Sequence, residues 1–237
     1  MEFINLEKYI EILKRADTTI CVKDYKRHNR GLILRHDIDE SIDFAYELYL
    51  AEKANGIKST FYVLLTSDLY NPFSLKNRIR LREMEQNGFE IGLHFDPMAY
   101  NNNRMLDNFK REIELFEKYL NIKLYSYSMH NPSITGEYVK YPELIDAYGS
   151  DIFNNECYIS DSTFSFRGKD LIEYIEKSNH QLIQLLIHAD HLMSNGEISY
   201  KKPIEKMLKE YLKRIDETYF VNSVYQKERE DILKLIG

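Results

Sequence analysis

Four apolar runs in the sequence each end in aspartate or histidine, and this arrangement limits the folds open to the chain. Helical patterns separate the runs, and strands that alternate with helices indicate βα units and a parallel sheet or barrel. In such folds the carboxyl ends of neighbouring strands meet at one edge, where functional sites lie. The residues that end the runs are therefore predicted to converge: Asp37 and Asp39 after residues 31–34, His94 after 89–93, His130 after 124–129, and His188 after 181–187.

The rest of the pattern predicts further strands and helices without a domain boundary. No internal repeat and no linker rich in Pro, Gly or Ser interrupts the sequence, so we expect one domain over residues 1–237. The other predicted elements are a first helix around Tyr9, helices over 41–55, 75–86, 104–120 and 169–177, a strand over 60–65, short strands around Ile152 and Tyr158, and a mainly helical end over 203–235.

Composition narrows the possible partners and the compartment. The chain has 237 residues, a net charge of -6 and a pI near 5.7, which argues against non-specific binding to nucleic acid or to anionic membranes. Cys21 and Cys157 form no CxxC pair, so we expect free thiols and no thiolate metal site. The N-terminus lacks the pattern of a secretory signal, and no apolar run approaches the roughly 20 residues of a membrane helix. We therefore expect a cytoplasmic protein without membrane insertion.

Spacing within the first run indicates a metal site. Side chains alternate along a strand, so Asp37 and Asp39 point to one side and His36 points to the other, where it packs behind the site or hydrogen-bonds locally. Two carboxylates on one side repel each other unless a cation relieves the charge. Carboxylate and imidazole together suit zinc or a similar divalent ion. One aspartate alone would suffice to cap the helix that begins near Ser41, but a cap does not require two at this spacing.

Four segments resemble the polysaccharide deacetylases of carbohydrate esterase family 4. Their order and spacing are similar to the family's, and the resemblance covers about residues 30–195. It implies a distorted (β/α) barrel of about seven strands, and a metal-dependent enzyme that removes acetyl groups from N- or O-acetylated sugars. The segments are Leu34-Arg35-His36-Asp37-Ile38-Asp39, Ser59-Thr60-Phe61-Tyr62, Glu90-Ile91-Gly92-Leu93-His94-Phe95 and Leu185-Leu186-Ile187-His188.

The resemblance also implies a role for each matching residue. Asp37 corresponds to the general base and Asp39 to a metal ligand of the family. His94 resembles the first histidine of the family's His-x-x-x-His metal motif, and His188 resembles its general acid. Asp161 resembles an acidic residue that helps to set the electrostatics of the site.

The chain departs from the family pattern at several positions. Met98 stands where the second metal-binding histidine belongs, so we expect His130 to supply the third ligand, with Asp96 as the competing candidate. The chain has no tryptophan, and Phe164 or Phe166 is expected to fill the wall that a motif tryptophan forms in the family. His191 is expected at the surface. The expected cofactor is a divalent metal ion, most simply Zn²⁺.

These features predict a metal-dependent carbohydrate deacetylase whose partner is a carbohydrate or glycoconjugate, with no nucleic-acid partner. Two alternatives remain open. One is a metal hydrolase of another amide or ester on the same scaffold. The other is a sugar-binding relative without catalysis, which Met98 favours because it removes one family ligand. The sugar, the acyl group, the metal and the oligomeric state stay unassigned.

Overall fold

The computed structural model describes residues 3–101, 104–136 and 138–234. Within these ranges the chain forms eight β-strands, nine α-helices, short 3₁₀ turns and one π-helical turn, Phe116–Leu120, that continues α4. The strands are β1 (Thr19–Ile20), β2 (Gly31–Ile38), β3 (Thr60–Leu64), β4 (Glu90–Phe95), β5 (Ser126–Met129), β6 (Ile145–Asp146), β7 (Tyr158–Ser160) and β8 (Leu182–Leu186). The helices are α1 (Leu6–Leu13), α2 (Ile42–Ala54), α3 (Leu75–Gln86), α4 (Met105–Leu115), α5 (Pro132–Thr135), α6 (Leu171–Lys177), α7 (Ala189–Met193), α8 (Lys201–Tyr219) and α9 (Ser223–Lys234).

The strands form a single parallel sheet. Their order is β6-β5-β4-β3-β2-β8-β7, and β1 pairs with β2 outside this path. Each described strand pair is parallel, so the carboxyl ends of β2, β4, β5 and β8 lie at the same edge. This confirms the predicted α/β class and explains why residues far apart in sequence meet.

The sheet curls so that its two ends approach each other. The side chain of Gln184 on β8 is buried and donates hydrogen bonds to the carbonyls of Ala147 (3.1 Å) and Ile152 (3.0 Å), in the segment that follows β6. β6 stands at one end of the sheet, whereas β8 lies next to the other end. The result is an open, curled half-barrel, which confirms the predicted distorted (β/α) barrel of about seven strands.

β2 is longer than the predicted run of residues 31–34, because its polar residues find buried partners. His36 faces Glu52 of α2 through Nε2 (3.0 Å) and the Ile187 carbonyl through Nδ1 (2.8 Å). Tyr9 and Ser59 also donate hydrogen bonds to Glu52, so the buried carboxylate is satisfied. The prediction that His36 lies behind the site is confirmed.

α2 begins with a cap that involves neither aspartate of the first run. Ser41 is its N-cap residue, and the Ser41 hydroxyl oxygen accepts hydrogen bonds from the backbone N–H groups of Asp43 and Phe44. Neither Asp37 nor Asp39 therefore caps α2, and helix capping does not explain their presence.

The region after β5 differs from its prediction. The strand expected around Ile152 is wrong: Ile152 lies in a turn, where its N–H donates to the Gly149 carbonyl, and the short strand is β6 instead. Ile152 packs in a buried cluster with Ala147 and Tyr62, which explains why an apolar residue stands here although it belongs to no strand. The strand predicted around Tyr158 is confirmed as β7, and residue 235 of the last predicted helix lies outside the described residues.

Two compact units divide the chain, residues 1–198 and 199–237. The first holds all eight strands and each predicted site residue. The second contains α8 and α9, where Asp216 accepts hydrogen bonds from Tyr225 and, through both carboxylate oxygens, from Arg229. The single domain over residues 1–237 stays a prediction. No helix in the described part of the chain has the length and apolarity needed to cross a membrane.

Candidate active site

A pocket opens where the carboxyl ends of the strands meet. The structure brings five predicted residues to its lining: Asp37, Asp39, His94, His130 and His188. The pocket volume is about 140 Å³, which is small beside the roughly 300–1,000 Å³ of sites that enclose a whole ligand. A pocket of this volume therefore fits a single chemical group at the end of a larger molecule.

Asp39, His94 and His130 form a candidate metal centre. The Nε2 atom of His94 lies 3.1 Å from Oδ1 of Asp39, and Nε2 of His130 lies 3.9 Å from the same oxygen. One potential ligand atom from each residue lies within 4.8 Å of the others. Two ligands about 2.1 Å from a tetrahedral ion stand about 3.4 Å apart, so these distances bracket the spacing that zinc requires.

The second ring nitrogen of each histidine is directed to an acceptor, which leaves Nε2 for a metal. Nδ1 of His94 lies 3.2 Å from the Ser128 carbonyl oxygen, and Nδ1 of His130 lies 3.2 Å from Oδ2 of Asp96. Such outer partners orient metal-binding histidines and set their tautomer. The structure thus places Asp96 behind His130, on its other nitrogen. The Asn131 amide donates to Nε2 of His130 and would give way to an ion.

The charge of the centre also favours a cation. Oδ1 of Asp39 is buried and has no hydrogen-bond partner among the described residues. Burial acts to raise the pKa of Asp39, but His94 and then His188 and His130 outweigh it, so this pKa lies well below its usual range. Burial lowers the pKa of His94, yet Asp37 and Asp39 raise it by more. The site therefore attracts positive charge, and its oxygen and nitrogen donors fit a zinc-like ion.

Asp37 is held by a buried arginine that sequence reasoning missed. Nη2 of Arg35 donates to Oδ2 of Asp37 at 2.6 Å and to the Ser128 hydroxyl at 2.7 Å, while the guanidinium lies near the Tyr62 and Tyr148 rings. Burial opposes ionisation of Asp37, but Arg35 and then His94 overcome it and lower its pKa. Oδ1 of Asp37 has no hydrogen-bond partner in the described part of the chain. The spacing of two between Arg35 and Asp37 was the available signal, since it puts both on one face of β2.

His188 is positioned by Asp161. Nδ1 of His188 lies 2.6 Å from Oδ1 of Asp161, and the backbone N–H of His188 donates to the same carboxylate. Nε2 of His188 lies 3.7 Å from Oδ2 of Asp39. Burial lowers the pKa of His188, but Asp161 raises it by more, so it ends well above the usual value. Asp161 thus favours the protonated form of His188 at the pocket, and Asp161 lies behind the ring, fully buried.

The aromatic wall of the pocket comes from tyrosines and a phenylalanine in the chain between β5 and β8. Tyr138, Tyr148, Phe153 and Tyr158 line it, and three of these rings pack edge to face in the order Tyr148, Phe153, Tyr158. Phe164 does not line the pocket: its ring stacks on His191 at 3.9 Å between centroids. The expectation that Phe164 fills the wall is therefore wrong.

Phe166 also lies away from the pocket, stacked on Phe3. His191 is buried, with 3% of its surface exposed, so its expected surface position is wrong. The reason is that His191 lies in the short helix α7, where its Nδ1 atom lies 2.8 Å from Oδ2 of the buried Asp161. Met98 is 69% exposed in the 3₁₀ turn Pro97–Ala99 and does not line the pocket.

Comparisons with known proteins give structural likeness only. Neither a protein-family model nor a curated protein matches the chain. A chitin deacetylase from Colletotrichum lindemuthianum shows 14% identity over 81% of this chain and 86% of its own, with a TM-score of 0.48. A CE4 esterase from Streptococcus mutans shows 12% identity, with the same coverage of both chains and a TM-score of 0.46. The peptidoglycan deacetylase PdaC from Bacillus subtilis shows 14% identity over 84% of this chain and 98% of its own, with a TM-score of 0.45. These identities and TM-scores are too low to establish a shared function.

Proposed function

We propose that this protein is a metal-dependent hydrolase that removes an acetyl group from an N- or O-acetylated sugar or saccharide, as a divergent relative of the polysaccharide deacetylases. The observation that carries the proposal is the 3.1 Å approach of His94 Nε2 to Asp39 Oδ1. Asp37 and His188 line the same pocket, and each approaches this pair. A carboxylate, a protonated imidazole and a cation-binding pair in one pocket suit amide or ester hydrolysis.

Asp39, His94 and His130 would hold the metal ion. A divalent ion bound there supplies Lewis-acid chemistry: it polarises the acyl carbonyl and lowers the pKa of a water molecule. The three protein ligands leave a further position open, as catalytic zinc sites do. Zn²⁺ is the simplest choice for two imidazoles and one carboxylate.

Asp37 acts as the general base in this proposal. Arg35 and Ser128 occupy its Oδ2 atom, so Oδ1 is the oxygen available to remove a proton from water. The lowered pKa of Asp37, which Arg35 maintains against burial, keeps the carboxylate ionised at neutral pH. Arg35 thus keeps the base charged and aimed.

His188 acts as the general acid. Its Nδ1 atom faces Asp161, so its Nε2 atom carries the proton that can pass to the departing amine or hydroxyl. As Asp37 takes a proton from water, the water oxygen bonds to the acyl carbon and a tetrahedral intermediate forms. The C–N or C–O bond of that intermediate then breaks as the leaving nitrogen or oxygen takes the proton from His188, and acetate and the free sugar are released. The pocket volume of about 140 Å³ suits an acetyl-bearing end, and the aromatic wall suits an adjacent sugar ring.

The test is acetate release from a panel of N- and O-acetylated saccharides, including nucleotide- and lipid-linked ones, with the metal-loaded protein. The proposal is supported if the wild-type protein releases acetate and the Asp37→Asn variant does not. Hydrolysis of other amides or esters in place of all acetylated sugars would assign a different substrate. Saccharide binding without any hydrolysis would assign the non-catalytic role.

A further inference from the structure

His191 belongs to a hydrogen-bonded group that extends behind the candidate active site. Its Nδ1 atom lies 2.8 Å from Oδ2 of Asp161, while Oδ1 of Asp161 lies 2.6 Å from Nδ1 of His188. One fully buried carboxylate is therefore shared between two imidazole rings. His191 does not line the pocket, so any effect of this residue on the reaction passes through Asp161.

The same three residues have the composition of a metal site, but their distances favour hydrogen bonds. Two ligands of one zinc ion, each about 2.1 Å away, stand about 3 Å or more apart. The separations of 2.6 and 2.8 Å are instead those of hydrogen bonds to an ionised acceptor. Asp161 also accepts the backbone N–H of His188, so both of its oxygens have donors.

The His191 ring is held on its other sides as well. It stacks on Phe164 with 3.9 Å between ring centroids, and its Nε2 atom lies 3.9 Å from Oδ2 of Asp190. Asp190 is buried, and its carboxylate oxygens have no hydrogen-bond partner within the described ranges. A ring placed between two buried carboxylates has a fixed orientation, so its Nδ1 proton points at Asp161.

We propose that His191 is a positioning residue for His188: its hydrogen bond to Oδ2 fixes the Asp161 carboxylate in the plane that aims the His188 ring into the pocket. Without His191, Oδ2 of Asp161 keeps only the backbone N–H of His188 (3.0 Å) as a donor. The terminal torsion of an aspartate is soft, so a carboxylate that loses a side-chain donor can turn about its Cβ–Cγ bond. Turning Asp161 would change the direction in which the His188 ring presents its Nε2 proton to the pocket. This inference rests on the proposed function only for the reaction that His188 assists. The positioning of His188 by Asp161 and His191 does not depend on which reaction that is.

Two variants separate this role from simple packing. His191→Asn keeps an N–H donor near the place of Nδ1, whereas His191→Leu keeps a similar volume without a donor. If His191→Leu fails to fold, a third variant, His191→Gln, replaces it, because its amide lies one carbon further out and misplaces the donor. Thermal unfolding of each variant checks that the comparison is made between folded proteins.

The informative comparison uses two substrates of the zinc-loaded protein. An N-acetylated amino sugar has a poor leaving group that needs a proton, whereas 4-nitrophenyl acetate releases a phenolate that does not. We expect His191→Leu to lower the ratio of amide to aryl-ester kcat about 10-fold, with KM for the amide little changed, and His191→Asn to restore most of that ratio. An equal loss on both substrates, or no loss on either, would overturn the proposal.

A second readout does not depend on activity. The Nδ1 proton of His188, shared with Asp161, should give a downfield proton NMR signal, and His191→Leu should move or broaden it while His191→Asn retains it. The same signal in the wild type and in His191→Leu would show that His191 does not position the pair. If the wild type hydrolyses no substrate but the signal responds as expected, the proposed function fails and the positioning role stands.

Discussion

Nε2 of His94 lies 3.1 Å from Oδ1 of Asp39, although Nδ1 of His94 already faces the Ser128 carbonyl. With its proton on Nδ1, the ring presents a lone pair to a carboxylate oxygen, and that contact is repulsive unless a cation lies between the two atoms. A proton or a divalent ion resolves it, and His130 stands close enough to share the ion.

The loss of zinc affinity on substitution should be larger for a metal ligand than for a residue that only contacts a ligand. We expect His130→Ala to weaken zinc binding by more than about 100-fold, since it removes a ligand, and Asp96→Ala to weaken it by about 10–100-fold, since it removes an outer partner. The exposed His180→Ala is the matched control and should bind as the wild type does. Calorimetric zinc titration measures all three, and a larger effect of Asp96→Ala than of His130→Ala would reverse the two roles.

Loss of the general base should spare the metal. Asp37→Asn conserves shape but cannot take a proton, so we expect kcat for acetate release to fall by about 100-fold or more. Elemental analysis of the same sample should still find the ion. If Asp37→Asn instead loses the ion while Asp39 is intact, the roles of the two carboxylates are exchanged.

The Arg35–Asp37 pair should matter for stability, because both side chains are buried. Arg35→Met leaves the Asp37 charge without its partner and should lower the free energy of unfolding by about 3–5 kcal/mol. Adding Asp37→Leu should recover much of this loss. Arg15→Met, which breaks the exposed pair with Glu176, is the control and should change stability by about 0–1 kcal/mol in urea denaturation. Equal effects of the buried and exposed changes would contradict this account.

The pH profile of kcat should be broad. Activity requires ionised Asp37, whose pKa lies below its usual range, so activity falls on the acid side only below the ordinary aspartate pKa. It also requires protonated His188, whose pKa lies above its usual range, so the alkaline fall comes above about 6.5. Asp161→Asn removes the main charge that raises the pKa of His188 and should move the alkaline limb to lower pH. An unmoved limb would show that His188 is not the acid measured.

Periodicity was sufficient to predict the arrangement of strand ends. Apolar runs that end in Asp37, His94, His130 and His188 are local signals, and parallel pairing places such ends together. The closure of the sheet is different, because it depends on a contact between the Gln184 side chain and carbonyls in the segment after β6, more than thirty residues away. No local pattern encodes that contact.

The roles of residues that act from behind the site also require the three-dimensional structure. Arg35 lies inside an apolar strand, and only the partners on β2 and β5 show that it is a counter-ion. The sequence predicts His191 at the surface, and only the three-dimensional path of α7 turns its ring toward Asp161. The aromatic wall comes from residues 138–158, where no periodic pattern indicates that these rings line one pocket.

The most direct measurement is acetate release from an acetylated saccharide substrate by one preparation, before and after its metal is removed. We predict no release from protein that elemental analysis shows to be metal-free, and recovery of release when zinc or cobalt is added back at one ion per chain. Full activity in the verified metal-free protein would contradict the account.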